Sequence, residues 1–539
     1  MIFETVAQLK LATLTAGQLV STKGYYASGD GGAADYIVAA TQAVDGYGDH
    51  ALAGGTVALL QVEGSADVKK YGATGDGVTD DTAAIQAAIS ASAGKVVDFL
   101  GGTYAIPTAL LLSDKCTVRN GTLLFSNTSC FRAIQSYLTS DSLTGNADLG
   151  TGTITIATTA AYSVGDVVKI SSDRVWSDDG TLQTTSGELV EILEVTSGTS
   201  LTLSAALNDI YSTADAAKVE LMSDALTGVT VDNMTLIGVD PTGGQNAIVT
   251  ARIRDVTVTN CTISDSGKSG VFLEEIYGFL VTGNTMTGCA SSGYGYGVVS
   301  FSASRSGHVS HNTMSHCRTG YTHGGTGGVG HGLVASNNVC IGCFTAGINS
   351  KASSDGMVVS GNYVEGLNTT KGLGDGIRIR GRNAVITGNI VTNCYRFSIY
   401  LPIYGAVPTT FSNVTITGNS VINARNIACY VDVNDGNTVK GVVVNGNSFN
   451  HIDDASASKG SVHIRCSDGS LNNIAVVGNT VSNCSYNCLD VRTSGTGTIS
   501  NYISTANVLE RNATAIAGSR AAVVTIGATN VDTAGNVTT

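Results

Sequence analysis

The residues best suited to chemistry sit in a series of short apolar segments. These include Ile348-Asn-Ser-Lys351, Ile377-Arg-Ile-Arg380, Ile399-Tyr-Leu401, Cys429-Tyr-Val-Asp432, Val462-His-Ile-Arg465 and Leu489-Asp-Val-Arg492. Strand alternation sends the second and fourth members of each segment to one outer face. Earlier members of the series, Val271-Phe-Leu-Glu274 and Val298-Val-Ser-Phe301, add Phe272, Glu274, Val299 and Phe301. The middle of the face gathers Lys351, Arg378, Arg380, Tyr400, Tyr430, Asp432, His463 and Arg465, with Thr322, Asn349, Asp490 and Arg492 beside them. Guanidinium forks, an ammonium group and flat aromatic rings together suit an acidic saccharide. The structural alternative is a solvated face that merely keeps its charges outside.

Cutting a glycosidic bond by hydrolysis takes two carboxyl groups roughly 5–10 Å apart. Glu274 and Asp432 fall six repeats apart, roughly 29 Å at the spacing of hydrogen-bonded strands. Asp375 lies at the other end of its strand from Arg378. The candidates for chemistry are therefore Asp432, Arg378, Lys351, Asp375 and Glu274, and those for binding are Arg380, Tyr400, Tyr430, His463 and Arg465. Three routes stay open. A loop supplies a further acid (Asp453, Asp454 or the 365–375 segment), a neighbouring subunit supplies it, or the reaction is β-elimination with Lys or Arg as base and Tyr as acid. Five of the eight His (His308, His311, His316, His323 and His331) match no zinc spacing. The glycine run 324–330 lacks the Lys and following helix of a phosphate loop. No metal and no cofactor is expected.

A repeat must position these segments. Val281-Thr-Gly-Asn284-Thr-Met286 recurs around Asn312, Asn338, Asn362, Asn389, Asn419, Asn447 and Asn479, at steps between 24 and 32 residues. An apolar residue stands three before and two after each Asn, and Asn507 extends the series. A unit that cannot bury its own face, repeated with period-2 alternation, predicts a stacked solenoid of strands. Five residues after the Asn come Cys289, Cys317, Cys343, Leu367, Cys394, Ala424, Ile452 and Cys484, an inward column. The Asn column predicts an amide ladder between coils. The fold class is all-β, a right-handed single-stranded parallel β-helix of roughly ten or more coils, its hand set by the crossover rule.

Composition agrees. Hydrophobic residues make up 42% and charged ones only 13%, while 67 glycines serve tight corners. A net charge of −13 argues against nucleic acid and anionic membranes as partners. No apolar run is long enough to span a membrane, and the opening residues lack a secretory signal pattern. Of the twelve Cys, five fall in the inward column, which reads as reduced packing thiols formed in a cytoplasm.

Two stretches carry a resemblance. The N-terminal unit, residues 1–64, contains Gly24-Tyr-Tyr-Ala-Ser-Gly-Asp-Gly-Gly-Ala-Ala-Asp-Tyr36. It is similar to the segment that precedes the β-helix in bacteriophage tailspikes and tail fibres. Val68-Lys-Lys-Tyr-Gly-Ala-Thr-Gly-Asp-Gly-Val-Thr-Asp-Asp-Thr then leads into a predicted helix carrying Ile85 and Ile89, capped by Thr79 or Asp80. This resembles the opening of the pectate-lyase-like superfamily, where the helix plugs the first coil; Leu100 departs from that family's frequent Pro. The motif is specific for fold and weak for reaction.

The expected domains are 1–64 for virion attachment, 65–147 for the capping helix and first coils, 148–222 for an inserted antiparallel β-module, 223–520 for the main helix, and 521–539 for a C-terminal end with no further domain. Trp176 reads as the core of the inserted module. The resemblance implies a phage tailspike on the virion, a homotrimer joined to other tail proteins, that recognises and depolymerises host capsule or lipopolysaccharide. A non-catalytic glycan-binding adhesin of the same fold is the alternative, and a secreted plant-polymer lyase a weaker third. The outward apolar group Phe272, Val299 and Phe301 is the expected trimer contact.

Overall fold

The apolar residues that flank each repeated Asn become inward columns of one solenoid. Val231, Val258, Val281, Val309, Ala335, Val359, Ile386, Ile416, Val444 and Val476 pair in register, coil on coil, and all are buried. Met286, Met314, Cys340, Val364, Val391, Val421, Phe449 and Val481 form a second column. A third runs from Val271 through Tyr321, Ile348 and Ile399 to Leu489. The computed structural model describes residues 1–511 except 93, 127, 179–182, 241–243, 291–292, 367–373, 406–409, 452–460 and 485–486, and beyond them the backbone of 523–526, 528–532 and 537–538. The fold is a right-handed parallel β-helix of about 15 turns.

The amide ladder is continuous. Asn284 gives its backbone N–H and its Nδ2 to the Oδ1 of Asn312, at 3.1 and 2.9 Å, and Nδ2 also donates to the Val258 carbonyl. The same pattern passes through Asn338, Asn362, Asn389, Asn419, Asn447 and Asn479 to Asn507. Each bond is worth about 1 kcal/mol net in a buried setting. Leaving one of these amides unmatched would cost more, so the column fixes where every coil turns.

The twelve Cys are buried thiols, including Cys289, Cys317, Cys343, Cys394 and Cys484 of the predicted column. Burial pushes the Cys343 and Cys394 thiols up to about 12. Leu367 and Ile452, expected in that column, lie outside the described residues. Opposite the thiols runs a line of glycines. A Cβ on Gly320 would sit 2.7 Å from Cys340 Sγ and 2.6 Å from the Gly347 carbonyl, so nothing larger fits there. One stretch of the core is polar. Ser300 Oγ lies 2.9 Å from both the Tyr321 hydroxyl and His323 Nδ1, while His323 Nε2 donates to the Ser353 carbonyl at 2.8 Å. Burial holds His323 neutral, its pKa lowered to about 4.

The first residues form a five-stranded sheet around Val6, Leu9, Val20, Tyr36 and Ala58. Its Gly-Tyr-Tyr string wraps Asp30, whose carboxylate accepts the N–H groups of Tyr25, Tyr26, Ala27 and Gly32. The Tyr26 hydroxyl donates to the Gly72 carbonyl at 2.8 Å, and Gly72, at φ +93°, has no room for a side chain beneath the Tyr25 ring. The two motifs therefore meet in one joint. The helix Thr82–Ala91 follows, burying Ile85 and Ile89. Asp80 accepts the Thr82 N–H, while Asp81 turns back to Thr74 and Gly75. Leu100 adopts φ +52°, a value closed to Pro.

The inserted module is a six-stranded antiparallel sheet that also takes in Tyr137–Ser142, ahead of residue 148. It is bolted to the solenoid. Glu275 receives Lys169, the Tyr137 hydroxyl at 2.9 Å and Arg252 Nε at 3.1 Å. Ser177 and Thr184 donate to the Ala352 and Gly325 carbonyls. Trp176 is at this seam rather than in the module's own core, with the Arg382 guanidinium 3.4 Å above its ring. Arg382 in turn pairs with Asp355 at 3.2 Å.

Candidate functional site

The predicted outer face exists, and its register is the expected one. Val249, Phe272, Val299, Thr322, Asn349, Arg378, Tyr400, Tyr430, His463 and Asp490 stand in one column. A second column carries Asp432, Arg465 and Arg492, with Pro402 opposite Asp432 on the preceding coil.

The aromatic part is a closed stack. Tyr400 and Tyr430 lie parallel, 5.2 Å apart at 10°, with Phe397 tilted against both at 4.5 and 5.0 Å. His463 meets the Tyr430 ring edge-on at 5.0 Å. Tyr400 is only 7% exposed, Tyr430 2% and His463 4%, so the rings are sheltered rather than displayed. Consecutive large rings at one strand spacing cover each other, which a one-dimensional reading of alternation cannot register. Cations top the stack. Arg378 lies 5.7 Å over Tyr400 and donates to the Tyr404 hydroxyl at 3.0 Å, and Arg380 sits 4.9 Å over the Tyr404 ring.

The carboxylates divide by environment. Asp375 is buried, accepting Arg396 Nε at 2.8 Å and a second bond from its Nη2. Burial raises its carboxyl pKa, against the pull of Arg396 and Arg378. It serves as an anchor beneath the face, since Arg396 continues outward over Phe397 and Tyr400. Glu274 stands six strand steps from Asp432, turned toward Arg252 at 3.9 Å. Asp432 is 8% exposed, and its Oδ1 is buried without a hydrogen-bond partner. Burial first, and Asp432 second, keep the Tyr430 phenol far above its ordinary range, with Arg465 and Asp432 both as its hydrogen-bond partners. Asp490 holds His463 Nδ1 at 3.2 Å and Arg492 Nε at 2.5 Å; burial would raise its carboxyl, but those two partners bring it below the usual range.

Arg378, Tyr400, Tyr430, Asp432, His463 and Arg465 thus come together, while Glu274 does not join them and Lys351 leans the other way. A Cβ on Gly324 would lie 2.9 Å from Lys351 Cδ, so the lysine stem occupies the space that glycine leaves. It reaches a depression of about 380 Å³ floored by Phe272, Val299 and Phe301. Sequence reasoning missed Arg396 and Tyr404, which flank the strand Phe397–Ile403 from irregular backbone, and the pairing of Asp490 with His463. Asp453, Asp454 and most of the 365–375 segment lie outside the described residues.

With the geometry in place, the comparisons with known proteins are informative about the fold. Residues 65–295 match the family model described as rhamnogalacturonase A/epimerase, pectate lyase-like, and residues 245–438 match that of a periplasmic copper-binding protein, NosD. Among the described residues no group of three or more His, Cys, Asp or Glu side chains is arranged to hold a metal ion. The tailspike gp61 of Pseudomonas phage phi297 is 15% identical, with a TM-score of 0.53 over 86% of this chain and 81% of its own. The tailspike gp49 of Pseudomonas phage LKA1 is 15% identical, at 0.54 over 85% and 83%. The gp54 tailspike of Acinetobacter baumannii phage AP22, solved with a capsular saccharide, is 12% identical, at 0.50 over 82% and 78%. No curated protein matches in sequence. The chain has the pectate-lyase-like parallel β-helix fold, and phage tailspikes share it over most of its length.

Proposed function

We propose that this chain is a phage tailspike whose solenoid face binds an acidic polysaccharide of the host surface and cuts it at the Tyr430–Asp432–His463 cluster. The observation that carries the reading is Arg378 lying over the Tyr400 ring of a buried aromatic stack, with Arg465 bonded to Tyr430 on the same face, in a chain of net charge −13. Charge-assisted forks of that kind match carboxylate-bearing sugars. β-Elimination suits the cluster better than hydrolysis, because Asp375 is tied to Arg396 and Glu274 is six strand steps away. In that chemistry Arg378 and Arg465 neutralise the uronate carboxylate and so acidify the C–H beside it. The Tyr430 phenol, kept protonated by burial, donates to the leaving oxygen, and His463, steadied by Asp490, takes the ring proton.

The reading extends to assembly as a homotrimer on the virion, with residues 1–64 joining other tail proteins; light scattering at working concentration tests the trimer. The test of function is incubation with purified acidic capsular polysaccharides and lipopolysaccharides, followed by size analysis. Shorter chains with new ultraviolet absorbance from unsaturated uronate are expected. Shorter chains without it would mean hydrolysis. Binding without shortening would make the chain an adhesin, a reading favoured by the absence, among the described residues, of a second unengaged carboxylate beside Asp432.

A further inference from the structure

The depression upstream of the cationic stack is unlike it in every respect that matters to a ligand. Phe272 and Phe301 are half-buried with ring centroids 5.9 Å apart at 32°, and Val299 lies between them at 4% exposure. Such a floor offers nothing to a hydroxyl group and fits a methyl group. Tyr294 and Tyr296 stand at the side, and Arg318 donates to the Tyr296 hydroxyl at 2.9 Å. Lys268, 5.7 Å over the Tyr294 ring, and Lys351 supply cations at the rim. Neutral polar residues, Asn246, Ser269 and Thr322, share the lining, and two of them matter here. Asn246 Oδ1 is buried and has no hydrogen-bond partner among the described residues, so a ligand donor is what it lacks. Thr322 Oγ1 accepts from Asn349 Nδ2 at 2.8 Å, which leaves its own proton to give.

An acceptor, a donor, a methyl-sized apolar floor and two cations are the complement of one chemical unit: an acetamido group with a carboxylate nearby. We propose that this depression binds an N-acetylated acidic sugar, its methyl on Phe272, Val299 and Phe301, its amide N–H toward Asn246 Oδ1, its carbonyl toward Thr322, and its carboxylate between Lys268 and Lys351. This rests on the polysaccharide reading above and names the polymer's repeating unit more closely. A volume of about 380 Å³ is at the small end of ligand sites and suits one sugar with its substituents. A second copy of the chain, the occupant expected from sequence, is disfavoured by the concavity and by the unmatched Asn246 oxygen.

The test uses the full chain and three sugars at millimolar concentration: N-acetylmuramate, which carries both groups, N-acetylglucosamine and glucuronate, which carry one each. Saturation-transfer NMR should show the acetyl methyl of N-acetylmuramate as its most strongly saturated proton, with N-acetylglucosamine binding more weakly. Val299→Arg fills the floor and should weaken N-acetylmuramate at least tenfold; Phe272→Ala, at a half-buried surface position, should do so by several-fold should the first variant fold poorly. Absence of methyl saturation in the parent, or an unchanged signal in both variants, overturns the proposal. So does a change of oligomeric state in Val299→Arg, which would make the depression a subunit contact. Arg378→Ala separates the two readings. It should weaken polymer binding or cleavage about ten- to hundredfold and leave the N-acetylmuramate signal intact. A parent that cleaves polymer but shows no acetyl preference sinks only this inference, and one that binds the sugar but no acidic polymer sinks only the other.

Discussion

Two stretches of one face, built by the same register, end in opposite states. Around Phe272 and Phe301 the outward side chains leave an open depression, whereas around Tyr400 and Tyr430 they close into a stack with a few per cent exposure. The difference lies in what occupies successive rungs. Downstream, aromatic follows aromatic, and rings one strand spacing apart cover each other. Upstream, Phe272 is followed by Val299 and Thr322, and Phe301 by Gly324, so each ring has a short neighbour and its face stays bare. An outward position is therefore not yet a displayed one; the residue on the next coil decides.

This contrast can be broken most severely at its foundation. Asp375→Ala should cost about 3–5 kcal/mol of stability, because it strips the partner from Arg396 and leaves the Phe397–Tyr400 stack unbraced. Urea unfolding measures it, and a loss under 1 kcal/mol would show that the pair is incidental. The pH dependence comes next. His323 has a native pKa of about 4, while the unfolded side chain takes its proton near ~6.5. The unfolded state therefore binds more protons between those values, and stability should fall as pH drops from about 6.5 toward about 4, by a few kcal/mol. His323→Gln should lessen the slope of that segment, with His50 and His331, lowered by burial to about 4 and about 3, keeping the remainder; an unaltered slope would place the acid sensitivity elsewhere.

Function should respond on a smaller energetic scale. Arg378→Ala removes a charge-assisted contact of about 1.5–3 kcal/mol, a ten- to hundredfold loss in polymer binding or cleavage, with the thermal midpoint little changed. Asp432→Asn sharpens the same point: elimination should keep much of its rate, while hydrolysis through Asp432 should stop. Least of all, Phe301→Ala should alter stability by under about 1 kcal/mol, since its half-buried ring opens on the depression rather than on the core. A cost as large as that of a core Phe would mean the depression is closed in solution.

Much of this was legible in the sequence. The Asn series with its flanking apolar pair determines coil length, turn position and inward columns at once, because an unmatched buried amide and a one-residue slip are both costly. Outward membership of Arg378, Tyr400, Tyr430, Asp432, His463 and Arg465 followed from the same register. What did not follow was how outward side chains treat one another. Asp375 looked available for chemistry, yet it is consumed by Arg396, which comes from irregular backbone with no register to place it. Lys351 looked like a neighbour of Arg378, yet Gly324 on the preceding coil lets it lean away. Trp176 was assigned to the module's interior, and its partner Arg382 belongs to the solenoid 206 positions later in the chain. Contacts between units of independent register are the part that periodicity does not encode.

The asparagine ladder also has a sense of direction. Each rung hands two protons, one from the backbone and one from the amide, to the oxygen of the rung that follows it in the chain. A rung deprived of its successor would hold two donors open, whereas one deprived of its predecessor would hold only an open acceptor. Cutting the ladder at any rung would thus expose donors on its C-terminal edge and acceptors on its N-terminal one. The helix Thr82–Ala91 packs on the first coils, so the two ends of the ladder differ in covering as well as in polarity.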